Sequence, residues 1–253
     1  MPESETTTEL TDAGGITRLH VNADLGAGVA LPLSDGQSHY LLHVLRAKAG
    51  DRLRLFNGRH GEWAAEITTV TKRGAIVTVR AQTMPQAAVP DLWLIFAPVK
   101  KTPADYLAQK ATELGVRKLQ PVFTRRTIVT RLNEDRLLAN AIEAAEQSDR
   151  VCVPEIAAPV KLETLLASWP QDRTLYFCDE DGDARPLAQA AQPGPAAILT
   201  GPEGGFDPAE RELIRTKIYV VPVTLGPRIL RADTAALAAL AVWQSVAGDW
   251  PQA

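Results

Sequence analysis

Between residues 17 and 81 apolar and polar positions alternate over short stretches, 17–21, 51–56, 62–70 and 75–81, separated by Gly50-Asp51, Asn57-Gly58 and Arg73-Gly74. A period of two punctuated by turn dipeptides predicts strands, and strands this short and closely spaced predict a small β-barrel. One stretch breaks the alternation. Tyr40, Leu41, Val44 and Leu45 recur at helical spacing behind Ser34-Asp35 and ahead of Gly50, which predicts a single short helix over 38–46. Residues 84–90 hold Pro85 and Pro90 with no periodicity and read as a linker. Beyond it the grammar changes. Continuous apolar runs at 92–97, 119–123, 151–156, 174–178, 196–200 and 218–225 alternate with helical patterns. These open at Thr102-Pro103 and Asn133 and near Lys161, Pro186, Asp207 and Asp233. Strands without alternation, each followed by a helix, predict βα units around a parallel sheet covered on both faces. The expected fold class is α/β, with a barrel at 17–84 and a second domain at 90–250.

Composition changes this picture little, and charge changes it more. Of the 253 residues, 45% are hydrophobic and 23% charged, as in a globular protein. Residues 1–16 carry four acids, no base and few large apolar groups, so a disordered tail is expected there. No apolar run approaches the roughly 18 to 20 residues of a membrane span, and the N-terminus has neither a basic region nor an apolar signal core. Two cysteines, Cys152 and Cys178, lie far apart without a CxxC or a histidine pair, so neither a disulfide framework nor a metal site is expected. These features predict a cytoplasmic, metal-free protein with no membrane partner. The net charge is −3, yet residues 17–90 carry nine bases against five acids and residues 100–136 nine against four. Part of the chain therefore suits a polyanion although the whole is acidic.

Three segments carry candidate chemistry. Thr200-Gly201-Pro202-Glu203-Gly204-Gly205-Phe206 joins an apolar strand to a helix, the position where open α/β sheets bind ligands. It lacks the Gly-Lys-Ser/Thr of a triphosphate loop and the spacing of a dinucleotide fingerprint, so its glycines serve either a tight strand-to-helix turn that needs positive φ or close approach of the backbone to some other ligand. Gly204→Val is expected to abolish ligand binding, because a β-branched side chain would enter the space and dihedral range that the loop reserves for glycine. The second segment, Leu225-Gly226-Pro227-Arg228-Ile229-Leu230-Arg231-Ala232-Asp233-Thr234-Ala235, again follows a strand and precedes a helix that Asp233 or Thr234 is suited to cap. Ile229 and Leu230 either plug the core or wall a pocket, with an arginine facing an anionic partner. In the third, Glu143 and Gln147 share one helical face and Glu146 and Arg150 another, which fits surface ion pairs as well as a site.

Taken in order, these segments and two more, His39-Tyr40-Leu41-Leu42-His43-Val44-Leu45-Arg46 and Lys110-Ala111-Thr112-Glu113-Leu114-Gly115-Val116, resemble the SPOUT-superfamily methyltransferases that modify N3 of a uridine in small-subunit (16S) ribosomal RNA. The resemblance covers almost the whole chain from about Thr17. It departs where the family often has Thr-Glu and this chain has Ala232-Asp233. It implies a PUA-like barrel that holds RNA, a trefoil-knotted domain that binds S-adenosylmethionine, and a homodimer. By carry-over, Thr200, Gly201, Pro202, Glu203, Gly204, Gly205, Leu225, Gly226, Ile229, Leu230 and Arg231 bind the cofactor. Uracil N3 must lose a proton before it can be methylated, so a general base or an anion-stabilising cation is needed. Glu146, Glu203 and Asp233, with Arg150 and Arg231, are the candidates, and their roles stay open. Arg18, Arg46, Arg52, Arg54, Lys72, Arg73, Arg125 and Arg126 are the expected phosphate contacts. The competing readings are a related enzyme acting on transfer RNA or another ribosomal nucleotide, and a non-catalytic RNA-binding assembly protein.

Overall fold

The computed structural model describes residues 16–99, 104–179 and 184–252, so the N-terminal tail and the Thr102-Pro103 helix start lie outside the described residues. The chain divides into two compact units. One holds the residues up to Ala88 together with Ala145–Val153, and the other holds Val89–Ala144 and Pro154 onward.

The first unit is a five-stranded sheet built from β1 (Arg18–His20), β2 (Ala30–Pro32), β3 (Arg52–Phe56), β4 (Glu62–Thr71) and β5 (Gly74–Met84), in the order β1-β3-β4-β5-β2. Alternation does what the sequence expects of it. Leu53 and Leu55 of β3, and Ala75, Val77 and Val79 of β5, turn inward onto Leu19, Leu31, Leu41 and Ile67. Three register shifts between β4 and β5 bend the pair, as bulges do. Strand β2 escapes the sequence reading because it is three residues long and buries only Leu31. The expected helix is present but not uniform. Helix α1 (Asp35–His39) opens with a Ser34/Gln37 capping box and widens into a π-turn over Tyr40–Val44, where the Leu45 N–H reaches back to the Tyr40 carbonyl at 3.0 Å.

The second unit is a parallel sheet. Its strands β6 (Leu92–Phe96), β7 (Lys118–Phe123), β8 (Glu155–Ile156), β10 (Thr174–Cys178), β11 (Arg185–Pro186), β12 (Ala196–Thr200) and β13 (Val220–Thr224) run in the order β11-β13-β10-β12-β6-β7-β8, and β9 (Val160–Lys161) also pairs with β7. The apolar runs are explained by burial on both faces. Leu94, Phe96, Tyr176 and Ile198 pack with Leu107 of α2 (Ala104–Glu113) and with Ala236, Leu240 and Trp243 of α7 (Ala232–Ala247). Ile95, Phe177, Ala197 and Leu199 turn to the opposite cluster, which includes Leu162 and Leu166 of α4 (Leu162–Ala167) and Ile214 of α6 (Pro208–Arg215). The remaining helices are α3 (Glu134–Gln147) and α5 (Leu187–Ala190).

The strand expected at 151–156 shrinks to Glu155–Ile156 because Val151 is committed elsewhere: its carbonyl accepts the Gly58 N–H at 3.0 Å. Arg18 explains why the chain from Ala145 groups with the first unit. Its guanidinium donates to the carbonyls of Ala145 (2.8 Å), Glu146 (3.1 Å) and Arg150 (3.1 Å), closing the C-terminal end of α3, and pairs with the buried Glu62 at 2.5 Å. Arg18 is 5% exposed with its donors spent on these partners, so it is a structural cap and not the phosphate contact expected from its charge.

Candidate cofactor cleft and active site

The carboxyl ends of β10, β12 and β13 open into a cleft of about 520 Å³, a size suited to a ligand of nucleoside dimensions. It is lined by Thr200, Gly201, Pro202, Glu203 and Gly205 after β12, and by Leu225, Gly226, Ile229, Leu230 and Arg231 after β13. The two loops singled out in the sequence therefore meet, and Glu203, Arg231 and Asp233 share the cleft. Glu146 and Arg150 are not among its lining residues. Both belong to the first unit, where a Glu146 carboxylate oxygen accepts the His20 N–H at 2.9 Å and the Arg150 guanidinium lies 3.7 Å from the Cys152 sulfur.

The glycines of the first loop are not equivalent. A Cβ on Gly201 would stand 2.7 Å from Cε2 of Phe206, whose ring is held edge-on against Phe177 at 5.1 Å. A Cβ on Gly204 would meet only Arg126 atoms at 3.8 Å, and Gly204 does not line the cleft. The space and dihedral range expected to exclude a side chain at Gly204 are therefore not found there; in this loop they belong to Gly201, by its approach to Phe206, and to Gly205, by its φ of +65°. The Gly204 carbonyl instead accepts the Arg126 guanidinium at 2.8 Å.

Charged contacts tie this loop and α6 down. Arg125 donates its backbone N–H to buried Glu210 (2.8 Å) and pairs with Asp207 (2.9 Å) and Glu163 (3.4 Å). Asp207 caps α6, and the Ala209 N–H together with Arg125 holds its carboxyl below the usual aspartate range. At the other end of α6, Arg211 and Arg215 hold the buried carboxylate of Asp179 at 2.8 and 2.5 Å. Asp179 and Arg211 line the cleft, and sequence reading missed both, because nothing in a strand-end Cys-Asp marks a helix 30 residues later as its partner. Burial and the Asp179 charge push the neighbouring Cys178 thiol up to about 12, which favours its neutral form. Helix α7 starts at Ala232 with Arg231 in the cap position, earlier than the expected Asp233 or Thr234 cap, and Asp233 accepts the Thr234 N–H at 2.8 Å within the first turn.

Of the other expected phosphate contacts, Arg46, Arg52, Lys72, Arg73, Arg125 and Arg126 are exposed, while Arg54 is half-buried with a Glu62 oxygen 3.5 Å away.

A five-stranded sheet carrying basic residues and a parallel sheet with a loop-walled cleft define a class, and two family models match in that order: an RNA methyltransferase PUA domain over residues 33–80 and an RNA methyltransferase domain over residues 85–244. Ribosomal RNA small subunit methyltransferase E of Rickettsia conorii is 33% identical over 88% of this chain and 93% of its own. The enzyme of that name from Neisseria gonorrhoeae, solved bound to S-adenosyl methionine, is 29% identical with a TM-score of 0.84 over 92% of this chain and 99% of its own. A Legionella pneumophila protein solved with the bound cofactor SAM is 30% identical, with a TM-score of 0.81 over 92% of this chain and 98% of its own. The chain belongs to the ribosomal RNA small subunit methyltransferase E family.

Proposed function

We propose that this protein is an S-adenosylmethionine-dependent methyltransferase that modifies N3 of a specific uridine in 16S ribosomal RNA of the small ribosomal subunit. The carrying observation is the cleft itself: the Thr200 and Leu225 loops meet at the ends of parallel strands in a chain of this family. The residues present fit the cofactor. Apolar Leu225, Ile229 and Leu230 suit an adenine ring, carboxylates of Asp179, Glu203 and Asp233 suit hydroxyl, sulfonium and ammonium groups, and Arg211 and Arg231 suit a carboxylate. Ile229 is 84% exposed, an apolar side chain placed to cover an adenine. When bound, the cofactor supplies an electrophilic methyl group.

The chain's own residues must bring the uracil edge in line with that methyl and remove the N3 proton. Glu203 at the rim and Asp233 in the first turn of α7 are the cleft's candidates for the base, and Arg231 is the cation that would stabilise a developing uracil anion. The target must be unpaired, because N3 lies on the pairing edge. The trefoil knot of the SPOUT class, a homodimer, a cytoplasmic location and a division of labour between an RNA-holding and a catalytic unit complete the reading.

Nucleoside mass mapping of 16S RNA from cells with and without the protein tests it. Loss of one N3-methyluridine is expected; an unchanged map, or a loss confined to transfer RNA, overturns it. For the base, Glu203→Gln and Asp233→Asn are compared by pH–rate profile, and the variant that removes the acidic limb identifies it.

A further inference from the structure

We propose that the α1 and π-turn segment of the first unit is a stacking platform for unpaired nucleobases of the RNA substrate, with phosphates taken by the adjacent β4–β5 turn. The inference rests on the proposed RNA methyltransferase activity and adds how the strand is held.

The segment is pinned from beneath. Leu41 is fully buried in the sheet core, the buried Ser38 hydroxyl accepts the Ala75 N–H at 3.1 Å, and the Ala47 N–H donates to the Leu41 carbonyl at 2.9 Å. On its outer side Tyr40, Val44 and Leu45 are 39%, 59% and 37% exposed, an apolar and aromatic surface on a rigid base. The exposed His39 and His43 rings lie beside each other with centroids 5.0 Å apart. Arg46 follows in a left-handed conformation, φ +56°, which non-glycine residues seldom adopt and which is over-represented at binding sites. The π-turn points the same way, because π-turns are frequently found at functional sites.

Charge selects the occupant. A Cβ on Gly74 would stand 2.7 Å from the Ser38 hydroxyl, so the turn that carries exposed Lys72 and Arg73 abuts the start of the segment. Of the two acids on these stretches, Asp51 accepts the Lys48 N–H at 2.8 Å and Asp35 sits in the first turn of α1. Planar rings and short apolar groups bordered by guanidinium and ammonium groups match single-stranded RNA, whose bases stack on aromatic faces while its phosphates seek cations. A phosphate-only surface has no use for Tyr40, Val44 and Leu45.

Stacking and phosphate contact separate by salt dependence. Full-length Tyr40→Ala, Tyr40→Phe, Val44→Glu and a Lys72→Ala/Arg73→Ala pair are titrated with a fluorescent single-stranded fragment of small-subunit RNA over a range of salt. Tyr40→Ala is expected to weaken binding about 5- to 100-fold with an unchanged salt slope, and Tyr40→Phe to bind like the wild type. Val44→Glu is expected to weaken binding at least 5-fold, and the basic pair to lower the slope by about 1.4, roughly 0.7 per phosphate on a single strand. S-adenosylmethionine binding and the melting midpoint are read on each variant as checks on folding. Wild-type affinity in folded Tyr40→Ala and Val44→Glu, with a lowered slope in the basic pair, overturns the platform and leaves the RNA-holding unit standing. Wild-type behaviour of all variants overturns both. Loss of self-association in place of RNA affinity shows that the surface serves a second copy of the chain and also overturns the platform.

Discussion

Phe206 sets apart two glycines of the first cleft loop. Its ring stands 2.7 Å from where a Cβ on Gly201 would be and packs edge-on against Phe177, whereas a Cβ on Gly204 would meet only ordinary contacts at 3.8 Å. Gly201→Val is therefore expected to weaken S-adenosylmethionine binding at least 10-fold, about 1.4 kcal/mol, while Gly204→Ala stays within about 3-fold. Calorimetry on folded variants checks this, and equal losses at both positions would show that the loop tolerates nothing and that Phe206 is not the cause. His20 provides a pH test in the first unit. Burial, and secondarily the Arg59 charge, lower its pKa below 6.5, so the folded state resists protonation more than the unfolded chain does. Its contribution to stability is complete above pH 6.5 and declines as pH falls from there through the depressed folded value. His20→Gln is expected to flatten the acid side of the stability profile between pH 7 and 5, and urea titrations at fixed pH measure it. An unchanged slope would assign the acid loss to other groups.

Helix α3 ends where it does because a side chain more than a hundred residues upstream receives its last carbonyls. Arg18 satisfies two of them, on Ala145 and Glu146, together with the Arg150 carbonyl just beyond the helix, and pairs with buried Glu62. Arg18→Ala strands both the carbonyls and a buried carboxylate, for an expected loss of about 3 to 5 kcal/mol by urea unfolding. Adding Glu62→Gln should recover part of that loss, since the stranded charge goes with it. A single-variant loss under about 1 kcal/mol would mean that water or Arg54, 3.5 Å from Glu62, replaces the cap. A fragment starting at Pro90 keeps Ala145–Val153 but removes the residues with which they pack, so it is expected to be less stable than the full chain.

At the level of the molecule, α7 bears on assembly. Its buried face of Ala236, Ala239, Leu240 and Trp243 completes the core, while Val246 is 42% exposed and Ile229 and Trp250 nearby in the chain are 84% and 45% exposed. Exposed apolar side chains at both ends of this helix are the positions that a second copy is expected to cover in the proposed homodimer. Light scattering at micromolar concentration should give twice the 27.4 kDa chain mass, and a monomer mass would remove the homodimer from the proposed function.

The longer elements were legible in the chain, since period-two alternation, uninterrupted apolar runs and Gly or Pro punctuation are local consequences of which faces a segment must bury; the two- and three-residue strands β2, β9 and β11 carry too little pattern to be read. Both cleft loops were legible as strand-to-helix connections, the first by its glycines and the second by the large apolar Ile229 and Leu230 set in a loop. Side-chain partnership was not. Arg18 reads as a surface cation until Glu62 and the end of α3 are seen around it, and Asp179 as a loop acid until α6 brings Arg211 and Arg215 onto it. Spacing alone puts Glu146 and Arg150 on one helical face, yet α3 stops at Gln147, Arg150 lies beyond it, and Glu146 holds the His20 N–H in the first unit. Such assignments depend on contacts between residues 30 to more than 120 apart. Sequence spacing carries no information at that range, because one charge can satisfy any of many partners and only packing selects among them.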